Sequence, residues 1–158
     1  MLKLGFTRIS PTHHRLDVTR SDGSKEKLTL ETRSALEHDF IYLALETEAG
    51  LKSSFFGLLD SGQSYADLSG KSPGTMVGTG ETLIAEIVIG AMTGFVQGKG
   101  DANVIVPGAK DYLTQLGETP PAWLTPELVM RVKERFRRLK GEWKATPFGQ
   151  TMEITFGQ

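Results

Sequence analysis

Residues Leu83 to Val96 are the most apolar run of this chain, 14 residues long with Glu86 as the only charge. A helix that crosses a bilayer needs about 20 apolar residues, so the run is too short to span and has to be covered by protein. Leu83, Ile84, Ile87, Val88, Ile89, Met92, Phe95 and Val96 fall on nearly every side of a helix drawn over 81–98, which predicts a core helix running through the middle of the fold. The chain has 158 residues, the usual size of one domain, and such a domain buries about 70% of the surface its unfolded form exposes. A single domain over 1–158 is the expectation.

The material to cover that helix lies on both sides of it. Residues 2–9, 14–20 and 25–31 alternate or carry β-branched side chains, and Ser21-Asp22-Gly23-Ser24 supplies the small residues of a hairpin turn. Thr151 to Phe156 alternates again and is a candidate further strand of the same sheet. Helices are expected over 35–49, closed by Gly50, and over 51–61, closed by Gly62. Residues 63–80 lack periodicity and read as a loop. The stretch 103–116 reads as helical only in its second half, because Pro107 and Gly108 interrupt the first. After the break at Thr119-Pro-Pro, Thr125, Pro126 and Glu127 give an N-cap, an N1 proline and an acidic first turn, and Leu128, Val132, Phe136, Leu139 and Trp143 recur at helical spacing. The sum is an α+β fold: a small antiparallel sheet of the N-terminal strands, with the C-terminal strand as a candidate member, packed against four or five helices.

Composition removes several function classes. There is no cysteine, so disulfides, thiolate metal sites and a cysteine nucleophile are all excluded. A net charge of -1 gives no global attraction to nucleic acid or anionic lipid. The first ten residues alternate where a signal peptide would be continuously apolar, so they read as mature structure, and a cytoplasmic, non-membrane protein is expected.

The ionisable residues gather between Glu31 and Glu46. Ser34 and Glu37 fit a capping box that would start the helix. At 100° per residue, His38, Asp39, Tyr42 and Glu46 then share an arc roughly 100° wide, opposite Leu36, Phe40, Leu43 and Ala44. One face packs and the other is free for chemistry. The candidate catalytic residues are His38, Asp39, Tyr42 and Glu46; the candidate metal ligands are His38, Glu46, His13 and His14. Adjacent side chains diverge in extended backbone, so His13 and His14 do not readily share one ion. The alternative is a satisfied polar network in which hydrogen bonds lock His38 and Asp39.

Phe6-Thr-Arg-Ile-Ser-Pro-Thr-His-His14, Arg20-Ser-Asp-Gly23, Leu30-Glu-Thr-Arg-Ser34, His38-Asp39, Glu46-Thr-Glu-Ala-Gly-Leu51 and Ser54-Phe-Phe-Gly57 together resemble a family of small uncharacterised bacterial proteins. The resemblance covers residues 6 to about 60 and implies bacterial origin without implying an activity. Similar chains often carry His-Asp-x-x-His, in which two imidazoles lie one turn apart as a divalent metal requires. This chain has Tyr42 at the second position, and a phenol with a pKa of about 10 is a poor ligand at neutral pH. No cofactor is expected for the chain as it stands.

Three other patterns carry less. Gly70-Lys71-Ser72-Pro73-Gly74 matches the serine hydrolase string, yet Pro73 lacks the N–H that the oxyanion hole needs. Gly74, Gly78 and Gly80 lead into a helix start, but Glu81 stands where a phosphate would sit. Gly90, Gly94 and Gly98 leave a groove on the apolar helix, fit for close internal packing or for a homo-oligomer contact.

Helix 127–144 carries seven basic residues against three acidic, and residues 31–60 hold six acids against two bases. The basic helix could give a weak nucleic-acid contact, sensitive to salt, or it could meet the acidic segment within the chain or across subunits. With no complete nucleophile, phosphate or metal constellation, the leading expectation is a non-catalytic binding or assembly module with an unidentified protein partner. The alternative is a metal-assisted or acid/base enzyme built on His38, Tyr42 and Glu46.

Overall fold

The computed structural model describes residues 1–69 and 80–157. Four strands, β1 (Leu2–Arg8), β2 (His13–Thr19), β3 (Lys25–Glu31) and β4 (Thr151–Phe156), form one antiparallel sheet in the order β3-β2-β1-β4. The sequence alternation fixes its faces. Leu2, Leu4 and Phe6 of β1 lie across from Leu16 and Val18 of β2 and from Met152 and Phe156 of β4, and all of these are buried. The intervening residues, Lys3, Arg15, Lys27 and Glu153 among them, look to solvent. Gly23 turns the β2–β3 hairpin at φ 88°, the left-handed region that favours glycine.

Six helices are found among the described residues: α1 (Thr32–Ala49), α2 (Phe55–Asp60), α3 (Tyr65–Leu68), α4 (Gly80–Val96), α5 (Ala102–Gln115) and α6 (Pro126–Ala145). The architecture is therefore α+β, as expected, with the C-terminal strand joined to β1. Gly50 ends α1 at φ 68°, and Thr125 Oγ1 caps α6 by accepting from the Leu128 N–H at 3.1 Å.

Several sequence expectations need correction. The Ser34–Glu37 capping box does not form. β3 runs directly into α1, Glu31 caps without a side-chain bond, the Thr32 N–H donates to the Thr12 carbonyl, and Glu37 reaches Lys140 and Gln97. The expected 51–61 helix is shorter, Phe55–Asp60, and the segment read as loop contains α3. The helix read only in its second half is continuous through Pro107, which removes a single intrahelical bond. Asp101, whose carboxylate accepts from the Asn103 N–H, and the buried row Ala102, Val106, Ala109 and Leu113 offset that loss.

The central helix is α1, not α4. α1 touches the sheet, α2, α4 and α6, and residues 39–46 are buried on every side. α4 packs against α1, α5 and α6 through Ala85, Val88, Ile89, Met92, Phe95 and Val96, while Gly90 and Ala91 stay exposed. A Cβ built on Gly90 meets nothing, and Gly98 lies past the helix end, so the glycine row is not an internal packing groove. Gly70 to Gly74 and Gly78 lie outside the described residues.

Candidate functional site

α1 carries all four residues of the expected arc, and the fold encloses three of them. Asp39 is 0% exposed, Glu46 1% and Tyr42 6%; only the His38 side chain, at 38%, keeps an open edge. The enclosing wall is aromatic. Phe55 lies edge-on to His38 at 5.2 Å and packs on Tyr42 at 5.5 Å and Tyr65 at 5.4 Å, while His38 sits over Tyr42 at 4.7 Å. The face read as free for chemistry is thus a packed contact with α2 and α3, and α1 is buried on both sides.

Inside that contact Asp39, Tyr65, His38 and Glu46 find partners, while the buried Ser54 hydroxyl has none among the described residues. The Tyr65 hydroxyl donates to Asp39, 2.9 Å from each carboxylate oxygen, and His38 Nδ1 lies 3.0 Å from Asp39 Oδ1. Hydrogen bonds to a charged group contribute about 1.5–3 kcal/mol each, so this triad clamps α3 onto α1. Burial, and then the Asp39 charge, push the Tyr65 phenol far above its ordinary value, which keeps it a donor. Tyr42 is pushed up as well, first by burial and then by Glu86 and Glu46, so it is a still poorer metal ligand than a free phenol.

One turn beyond Tyr42, the Glu46 carboxylate accepts the Phe56 N–H at 3.0 Å and the Gly57 N–H at 3.1 Å. It closes the start of α2 from the side, where no N-cap side chain does so. Gly57 is required by close approach: a Cβ there would lie 2.1 Å from the Lys52 carbonyl oxygen. Burial pushes the Glu46 carboxyl up to about 8, against the pull of the two amides, with Glu81 adding to the rise. A cleft of about 530 Å³ opens beside Glu46, walled by Lys52, Asp60, Arg135 and Phe156.

The histidines do not converge. His14 stands on the core face of β2 with Nδ1 2.9 Å from Thr32 Oγ1 and its ring against Phe6 and Trp143; burial, helped by His13, pushes it down to about 4. His13 points to solvent on the other face and touches Thr12. Neither adds to His38 and Glu46, and no group of three or more metal-ligating side chains occurs among the described residues.

Sequence reasoning missed Tyr65 and Gly57. A signal for α3 was present: Ser64 with Asp67 is a capping signature, and Ser64 Oγ does accept the Asp67 N–H at 3.2 Å. The acidic and basic helices do meet within the chain. Glu48 takes Arg131 at 3.2 Å and Arg135 at 2.6 Å, and Glu37 takes Lys140 at 3.1 Å.

Elsewhere, α4 and α5 leave an apolar face uncovered. Val104 is 70% exposed and Tyr112 52%, with Leu116 next in the same row. Beside this ridge runs a groove floored by Gly90, Ala91 and Gly108. No described helix is long and apolar enough to cross a membrane. Comparison with family models, curated proteins and solved structures gives no match to this chain.

Proposed function

We propose that this chain is a non-catalytic assembly module, bacterial and cytoplasmic, that associates with a second copy of itself through the α4–α5 face. The observation that carries the reading is the exposed ridge of Val104, Tyr112 and Leu116 beside a groove of small residues. Knob and hole on one surface are what a two-fold interface needs, because each copy fills the groove of the other. The face is two helices wide, about 20 Å, and α5 is about 21 Å long, giving a footprint of about 400 Å². That is half of the ~800 Å² per partner of a standard interface, which puts it among weak, transient associations.

The absence of cysteine makes the test direct. Gly108→Cys introduces the sole thiol of the chain at the floor of the groove. A short bis-maleimide should convert it to a covalent dimer, while Thr19→Cys, on the solvent face of the sheet, should stay monomeric. Equal cross-linking of both variants, or of neither, would contradict the proposal.

A second reading keeps His38 as an acid/base group, favoured by the bond of its Nδ1 to the buried Asp39 carboxylate, which orients a ring that is 38% exposed. Tyr42→His completes an i, i+4 imidazole pair and gains zinc affinity over the parent if the arc faces a cavity; Tyr42 is packed against His38 and Phe55, so any gain requires that contact to open. Calorimetry showing no gain would remove metal chemistry from this arc. A nucleic-acid contact draws less support, since Arg131, Arg135 and Lys140 face carboxylates of α1.

A further inference from the structure

A separate cleft of about 490 Å³ lies between β1, the start of α1 and the end of α6. Four cations line it, Arg8, Arg33, Lys140 and Lys144, against the single carboxylate of Glu37. The chain as a whole has a net charge of -1, so this is a local concentration and not an overall bias. Glu37 accepts Lys140 on one oxygen and the Gln97 amide on the other, which positions Lys140 but leaves three cations over. No ion pair among the described residues takes up Arg33 or Lys144.

Arg8 is the fixed member of the set. Its guanidinium lies over the Trp143 ring at 4.7 Å and the Phe148 ring at 5.4 Å, and it donates to the Trp143 carbonyl at 2.8 Å. The Arg8 Nε–H is nonetheless buried without an acceptor among the described residues. The cleft also abuts the first turn of α1, which no side chain caps.

We propose that this cleft binds the phosphate group of a small molecule, with Arg8 as the oriented donor and Arg33 and Lys144 closing over the anion. Cations arriving from three elements around a concavity suit a compact dianion. A nucleic-acid backbone needs an extended basic stripe, and the cations that continue the Lys140–Lys144 side of α6, Arg137 and Lys133, are engaged by Glu134 and by the Phe95 ring. The site is distinct from the α4–α5 face, and either can fail without the other.

The test is a titration of the intact protein with inorganic phosphate and with glycerol phosphate, followed by amide and indole chemical shifts at constant ionic strength. The expected result is a saturable response at Arg8, Arg33 and Trp143. Arg33→Ala with Lys144→Ala, two exposed positions, should weaken it about tenfold or more. Arg137→Ala with Arg138→Ala removes the same charge elsewhere on α6 and should leave it unchanged. Stronger binding of glycerol phosphate than of phosphate assigns an organic phosphate; equal binding assigns the free ion. No saturable shift by about 10 mM ligand would overturn the proposal, as would equal loss in both double variants. Tighter binding of a single-stranded oligonucleotide that spreads along α6 would overturn it as well.

Discussion

The two flanks of α1 handle polarity in opposite ways. Toward α2 and α3 the molecule buries Asp39 and Glu46 and supplies each with donors from Tyr65, His38, Phe56 and Gly57. On the α4–α5 side it exposes Val104, Tyr112 and Leu116, with nothing over them among the described residues. A buried carboxyl, charged or neutral, is tolerated only when it is hydrogen-bonded, as Asp39 and Glu46 both are, so the first region is an internal structure. An exposed apolar ridge along a groove gains by being covered, so the second is an unfinished surface. Residues that look chemical in the sequence thus hold the fold together, and residues that look like core stand outside it.

The contrast is broken most severely at Gly57. Gly57→Ala places a methyl against the Lys52 carbonyl and disturbs the amide that Glu46 receives. A destabilisation of about 3 kcal/mol is expected in urea unfolding. A loss within ~0.5 kcal/mol would mean that α2 is not held where the Glu46 contact requires. Tyr65→Phe leaves Asp39 buried with one donor fewer and should cost about 2 kcal/mol, measured in the same way. By contrast, Val104→Glu on the uncovered face should change monomer stability by less than ~0.5 kcal/mol, because the side chain is mostly in water already.

A further effect lies in the pH dependence. Glu46 is protonated in the fold up to about 8, against an ordinary value of 4.5, so its contribution is full below 4.5 and is lost as pH rises toward 8. His14 acts with the opposite sign: held neutral down to about 4 against 6.5, it withdraws stability as pH falls from 6.5 toward 4. Stability should therefore decline on both sides of mildly acidic pH. Glu46→Gln should flatten the alkaline decline alone, and an unchanged alkaline slope in that variant would show that another group is responsible.

Much of the fold was legible because its signals are local. The Thr125-Pro126-Glu127 start, the Gly23 hairpin and the strand alternation each depend on a few neighbouring residues, and each is where the sequence puts it. The errors arise where distant chain decides. Pro107 sits inside α5 because Ala102, Val106, Ala109 and Leu113 are buried by other helices, which outweighs one missing bond. α4 is apolar enough for a core helix, but hydropathy does not say which faces receive neighbours, and Gly90 and Ala91 receive none. The His38 arc was placed correctly on one helix; that α2 and α3 close over it depends on Phe55, Gly57 and Tyr65. The hydrogen bonds that Asp39 and Glu46 make are those that the network alternative describes.

Sedimentation velocity of the parent chain and of Tyr112→Lys, from about 10 µM to about 300 µM, tests the assembly reading most directly. The parent is expected to shift toward a dimer across this range while Tyr112→Lys, folded by circular dichroism, remains a monomer. A parent that stays monomeric throughout, or a variant that dimerises equally well, would contradict it.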